Sequence, residues 1–400
     1  MTKNNRKLNM LKERWCLIIF IAFLILLISF ICIKINREKN KYNELTVLLN
    51  NEFIDLVNEP IIDENECIFF SKDDVEKIFD NTIYYNEAEE ELITTYNEHI
   101  ALLKVGEEYA EINDETIELK GKLQEVNGEI YISLTDLAIV YDLEIKYSQN
   151  SNRIIMDSTQ KSKVVATVQK RTKVESKKSI FGKKIDKLIV GDTVTVLETD
   201  GKYKKIRTPL GNIGYVKASK LTDEKQIRED VKFEKQDINV YRNYSNISGI
   251  YENIQVDDKK LNVVVPTFFY LEKNSKILDK TTSSTATYSI YKSWTEENKL
   301  KILPTFTNNE SVSNNLLSYS QRSIAINSLK KYLIQYNYIG VNIEFDSIDD
   351  INSFYRFVLE LMPRFREAGL KVAVTLNNNL DKSRLENVVD YIIEKKFYRF

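Results

Sequence analysis

Asn342, Glu344 and Asp346 stand two residues apart in the run Gly340-Val341-Asn342-Ile343-Glu344-Phe345-Asp346. In an extended strand, residues two apart share a face, so this spacing aims one amide and two carboxyl groups the same way. Such a pair suits general acid and base work, one group protonated and the other ionised. The rest of the composition offers little else. His99 is the single histidine, which excludes a histidine-rich metal centre and leaves a Ser-His-Asp arrangement little to build on. Of Cys16, Cys32 and Cys67, the first two lie within an apolar run, so no disulfide framework is available. Chemistry by carboxylates, with no cofactor and no metal, is the expectation.

The elements that would hold these groups are legible from residue 261 onward. Apolar strand-like runs (LNVVVPTFFYL, KILPTF, YIGVNIEF, KVAVTL, VVDYII) alternate with helical ones (TYSIYKSWTEENKL, RSIAINSLKKYLIQYN and INSFYRFVLELMPRFREAGL, the last stopped by Gly369). Repeated βα units without a Gly-rich phosphate loop favour a partial (β/α) TIM-type barrel, here of about five strands. Asn342, Glu344 and Asp346 would then face the barrel interior near its C-terminal mouth.

Residues 261–393 resemble glycoside hydrolase family 18, in its cell-wall and spore-cortex branch. The resemblance is carried by Asn262-Val263-Val264-Val265-Pro266-Thr267-Phe268-Phe269, the helix with Trp294, and Gly340-Val341-Asn342-Ile343 followed by two acids. The family motif D-x-x-D-x-D-x-E reads here Ile339, Asn342, Glu344, Asp346. By position the resemblance makes Asp346 the proton donor and Glu344 the group that orients the substrate's N-acetyl nucleophile, with Asn342 and Phe268 in contact with substrate. The two acids are exchanged relative to the family. An acid withdrawn by one methylene, more than ~1 Å, can cost ~10²-fold in rate, so hydrolysis is expected to be reduced or absent. The chain ends at Phe400 after the tail KKFYRF, where the family continues through further strands; 261–400 is thus expected to be a truncated domain.

Upstream, residues 161–222 alternate in short strands (187–197, 203–208 and 213–216) with turns at Asp200-Gly201 and Leu210-Gly211. The run GDTVTVLETDGKYKKIRTPLGNIGYVKASKL is similar to a bacterial SH3 domain, with Gly191, Gly201 and Gly214-Tyr215-Val216 in place and Tyr203 where the family favours Trp. The resemblance implies wall-peptide binding through Tyr203 and Tyr215; alternatively both rings simply pack a small all-β barrel. Residues 53–160 form an expected α+β module. Its strand at 129–133, a helix capped by Ser133 or Thr135, and strands at 143–147 and 153–156 about a turn at 149–152 resemble the copper amine oxidase N-terminal-like module. The acids Glu87, Glu89, Glu90 and Glu91 read as a solvated helix face, and 223–260 reads as a linker.

Residues 15–33 (WCLIIFIAFLILLISFICI) are nineteen uncharged residues, enough to cross ~30 Å of hydrocarbon at ~1.5 Å per residue. Lys34, Arg37 and Lys39 follow instead of a small-residue cleavage site, so 15–35 reads as an uncleaved transmembrane signal anchor. Residues 1–14 would be a cytoplasmic tail and 36–52 a stalk, leaving the C-terminal domains of this multidomain chain outside a cell membrane. A formal charge of -2, with Lys and Arg interleaved among Asp and Glu, argues against nucleic acid. The expected partners are cell-wall glycan, wall peptide and the membrane. Three functions remain open: a glycan hydrolase of reduced activity, a non-catalytic wall-binding protein, and a stalk that binds nothing.

Overall fold

The structure, a computed structural model, describes residues 44–179, 182–231, 236–249, 251–281, 285–308 and 316–394. The expected anchor at 15–35, the tail before it, the first part of the stalk (36–43) and the basic end at 395–400 lie outside these residues; the rest of the expected stalk is not a spacer but carries the strand Thr46–Leu49. Among the described residues no helix is long and apolar enough to cross a membrane. The chain is multidomain and mostly β, and divides into two compact units that do not follow the expected sequence blocks.

The described parts of Met1–Leu56 and Asp142–Val231 form the first unit. A four-stranded sheet runs in the order Leu143–Ser148, Arg153–Ser158, Thr46–Leu49, Glu52–Ile54, the middle two paired in parallel. The expected turn forms, with Asn152 in the left-handed region at φ 48°. A seven-stranded antiparallel sheet follows in the order Lys184–Leu188, Thr172–Glu175, Ile213–Lys217, Tyr203–Arg207, Thr193–Asp200, Lys163–Val168, Leu221–Arg228. The single strand expected over 187–197 is broken in two where Gly191 turns at φ +94°. Val168, Val174, Val194, Ile206 and Val216 fill the core. Part of the expected linker is strand Leu221–Arg228 at the sheet edge. Its many charges suit an edge that must refuse further pairing, which is why it reads as a linker.

Arg207 fastens the two sheets by a bidentate pair of 2.6 and 2.5 Å to Asp157, which also meets Lys163 Nζ at 2.8 Å. Burial opposes the charge on Asp157, but the hydrogen bonds from Arg207 and Lys163 prevail and hold its carboxyl below the usual range.

The second unit comprises Val57–Tyr141 and the described part of Lys232–Phe400. Its first segment forms a sheet around Ile68–Ser71 and Glu129–Ser133, a short helix Lys72–Ile78 capped by Ser71, and a five-stranded meander over residues 84–118. The helix expected after Ser133 is one tight turn, Asp136–Ala138. Glu87, Glu89 and Glu90 lie in a turn rather than on a helix, and Glu91 opens a strand and pairs with Lys104 at 2.8 Å.

The second segment carries strands β1 (Ile238–Val240), β2 (Leu261–Val264), β3 (Thr267–Leu271) and β4 (Ile277–Asp279), then helix α1 (Thr285–Glu297). There follow β5 (Lys301–Ile302), β6 (Thr305–Asn308), α2 (Tyr319–Gln335), β7 (Gly340–Ile343), α3 (Ile351–Glu367), β8 (Lys371–Leu376) and β9 (Tyr391–Glu394). A parallel sheet β1-β2-β5 accompanies a six-stranded sheet β4-β3-β6-β7-β8-β9 in which only β4 is antiparallel. The βα alternation is therefore present, with one parallel strand more than expected: β1 arises from residues taken as linker. LNVVVPTFFYL and KILPTF are each cut once, at Pro266 and Pro304, because proline brings no N–H to a ladder. Their carbonyls carry it on, accepting from Thr305 N–H at 2.8 Å and Asn342 N–H at 2.9 Å. At Gly340 a Cβ would sit 1.8 Å from Lys371 O, so β7 can lie beside β8 only with glycine there.

Helix α3 is buried nearly all round, by the apolar face on the sheet and by Glu360 and Arg364 beneath the meander. Arg322 of α2 meets Glu360 at 2.8–3.0 Å through Nε and Nη2, both side chains 1% exposed, and Tyr84 of the meander donates to Glu360 at 3.0 Å. Arg364 pairs with Asp114 at 2.7 Å and donates to Tyr319 Oη at 2.9 Å.

Two outcomes are expected. Glu360→Leu strands Arg322 and should cost about 3–5 kcal/mol in urea unfolding, whereas Arg322→Met with Glu360→Leu should cost clearly less. For Asp157 the folded carboxyl titrates below the unfolded one, so its contribution is complete above about pH 4 and is lost as pH falls through the folded value. Asp157→Asn should lower stability at neutral pH and flatten its acid dependence, as read by thermal unfolding across pH.

Candidate functional site

The start of β6 and the C-terminal ends of β7 and β8 bring Thr305, Asn342 and Thr375 together. Register pairs Thr305 with Asn342, and Asn342 with Ala373, which puts Thr375 on the same face two residues on. Asn342, fully buried, donates to Thr305 Oγ1 at 3.0 Å and accepts from Thr375 Oγ1 at 2.9 Å. Thr305 Oγ1 in turn donates to Val265 O at 3.1 Å. Arg242, just after β1, donates to Thr375 Oγ1 at 2.9 Å and reaches Glu344 Oε2 at 3.2 and 3.3 Å. Asn342 Nδ2 lies 3.4 Å from the same carboxylate oxygen.

Glu344 therefore sits, with its side chain 16% exposed, in a fork of guanidinium and amide donors that turns its carboxylate inward. Asp346 lies beyond the end of β7 and is exposed. Two asparagines from the neighbouring strand ends fasten this turn. Asn308 accepts from Asp346 N–H at 3.0 Å and donates to Ser347 O at 2.6 Å, and Asn377 donates to Phe345 O at 3.0 Å.

The three residues singled out in the sequence are thus local neighbours in different settings: Asn342 is a buried connector, Glu344 an ion-paired carboxylate at the rim, and Asp346 a solvent-facing acid. Phe268 departs from the expected substrate contact. It is 2% exposed, stacked on Tyr338 at 6.1 Å and edge-on to Tyr288 at 5.8 Å, so its surface is used in the core. Trp294 is likewise internal, with its indole donating to Glu252 O at 3.0 Å among Tyr244, Tyr251 and Tyr291. In the first unit, Tyr203 and Tyr215 line one groove on the seven-stranded sheet, both partly exposed.

Arg242 carried no sequence signal, since it falls in a stretch without periodicity. Thr305 and Thr375 could have been found: Thr305 lies in the second Pro-Thr-Phe, and Thr375 on the alternating face of KVAVTL. Among the described residues no cluster of His, Cys, Asp and Glu is arranged to hold a metal ion.

A sequence model of the copper amine oxidase N-terminal domain matches residues 48–156. Among curated proteins none matches this sequence. Several solved chitinases share part of the backbone arrangement. The group IV chitinase of Ostrinia furnacalis is 18% identical, over 40% of this chain and 51% of its own, at a TM-score of 0.32. A chitinase from Chromobacterium violaceum is 17% identical over 42% and 57%, TM-score 0.32, and a class V chitinase from Pseudomonas fluorescens 15% identical over 40% and 53%, TM-score 0.32. The chain spans about half the length of these structures, and a likeness at this level carries no inference about activity.

If Asn342 is the connector of this site, Asn342→Leu leaves the hydroxyls of Thr305 and Thr375 short of partners in a buried setting. A loss of roughly 1–3 kcal/mol in urea unfolding is expected, with Thr305→Val alone costing less.

Proposed function

We propose that this protein is a membrane-anchored component of the cell envelope, of glycoside hydrolase family 18 type. It binds an N-acetylglucosamine-containing wall glycan at the rim beside the C-terminal ends of β7 and β8 and hydrolyses it slowly or not at all. The observation that carries this reading is the ion pair of Glu344 with Arg242 at 3.2 Å. In the role the resemblance implies, Glu344 would orient the substrate's acetamido group; a carboxylate held by a guanidinium and by Asn342 has given those acceptor positions to protein donors. Asp346, the proposed donor, stands exposed beyond the end of β7, where nothing among the described residues encloses a glycosidic oxygen against it. The remaining hydrogen-bonding groups at the rim suit the hydroxyls and amides of a sugar chain, and the first unit would hold the protein to the same envelope.

The test uses the full chain in mild detergent, with chitooligosaccharide binding by calorimetry and peptidoglycan hydrolysis by release of reducing ends. Saturable binding is expected, with hydrolysis near the level of buffer and unchanged by Asp346→Asn. Glu344→Asp with Asp346→Glu should raise hydrolysis if the exchange of acids limits it. Hydrolysis by the native chain that Asp346→Asn abolishes would show a working enzyme instead, and absence of binding would sink the proposal.

A further inference from the structure

The seven-stranded sheet gathers charge that the linear sequence disperses. A groove of about 520 Å³ on its face is lined by Arg171, Lys173, Lys184, Lys187, Lys217 and Lys220, with Glu175 as the single acid, between Tyr203 and Tyr215. Pairing of non-adjacent segments makes this face. Lys173 stands directly opposite Lys187, and Lys217 opposite Tyr203. Like charges placed opposite one another oppose the pairing that holds them, and among the described residues none of the six cations has an ion-pair partner. Cations so placed form a focused positive potential over a concave surface.

We infer that this groove binds a base-free phosphodiester polymer, a chain of small units each carrying one negative charge, rather than a neutral or acidic peptide. Five of the six cations are lysine, whose compact ammonium on a flexible stem meets successive phosphates as a point charge without the fixed geometry of an arginine fork. A nucleic acid would ask for open aromatic faces on which bases stack. Here Lys178 lies over the Tyr215 ring at 5.5 Å, itself paired with Asp200. The groove can follow a repeating backbone, and the tyrosine hydroxyls can donate to phosphate or polyol oxygens.

The experiment measures binding of short-chain polyphosphate to the full chain in mild detergent, beside single-stranded oligothymidylate and poly-L-glutamate, between 50 and 200 mM salt. Four phosphates neutralised imply a log–log salt slope near −2.8, about a 50-fold loss across that range, using the single-strand value of about −0.7 per contact. Lys173→Gln with Lys187→Gln should weaken binding and make the slope shallower by about 1.4, without lowering the unfolding temperature, because it removes an opposed like-charge pair. Polyphosphate bound at least as tightly as oligothymidylate, and more tightly than polyglutamate, supports the inference. No binding at 50 mM salt, tighter binding of polyglutamate or of oligothymidylate, or an unchanged slope in the double variant overturns it.

Discussion

Two arginines and a glutamate taken out of water organise the second unit. Arg322, Glu360 and Arg364 are each at most 2% exposed, and a charge so buried persists only with partners of good geometry. Those partners come from far along the chain: Tyr84 and Asp114 belong to the meander, more than two hundred residues before the helices they meet. A helix beside a parallel sheet ordinarily turns its polar face to solvent. Here that face is covered, and satisfying it fixes the meander against α2 and α3. From α3, Phe354, Phe357 and Phe365 enter the core beside the sheet, so the strand ends inherit their positions from this arrangement.

At those strand ends the same rule acts on a smaller scale. Asn342 could not be buried without Thr305 and Thr375, and Arg242 closes the set by bridging Thr375 and Glu344. The bonds from Arg242 and Asn342 that position Glu344 also occupy its Oε2.

The sequence exposed what depends on short-range pattern. Helices α1–α3 follow from their periodicity, α3 ends before Gly369, and the strand at Glu129–Ser133 falls where alternation places it. It concealed what depends on partners. Strands buried on both faces are apolar throughout, so nothing in VVVPTFF says whether Phe268 meets a ligand or the core. Strand β1 is three residues long, too short for any period, and Arg242 vanished with it. Lysines dispersed over fifty residues appear mixed with acids until the pairing of Thr172–Glu175 with Lys184–Leu188 and Ile213–Lys217 sorts them onto one face.

The parallel pairing of Thr46–Leu49 with Arg153–Ser158 bears on how the protein is made. During synthesis the first of these strands leaves the ribosome about a hundred residues before its neighbour exists, while the intervening segment belongs to the other unit. With Val47 and Leu48 apolar and one ladder edge vacant, the nascent strand needs shelter for several seconds at ordinary elongation rates of about 5–20 residues per second. The first unit can therefore close only after its second half has been made.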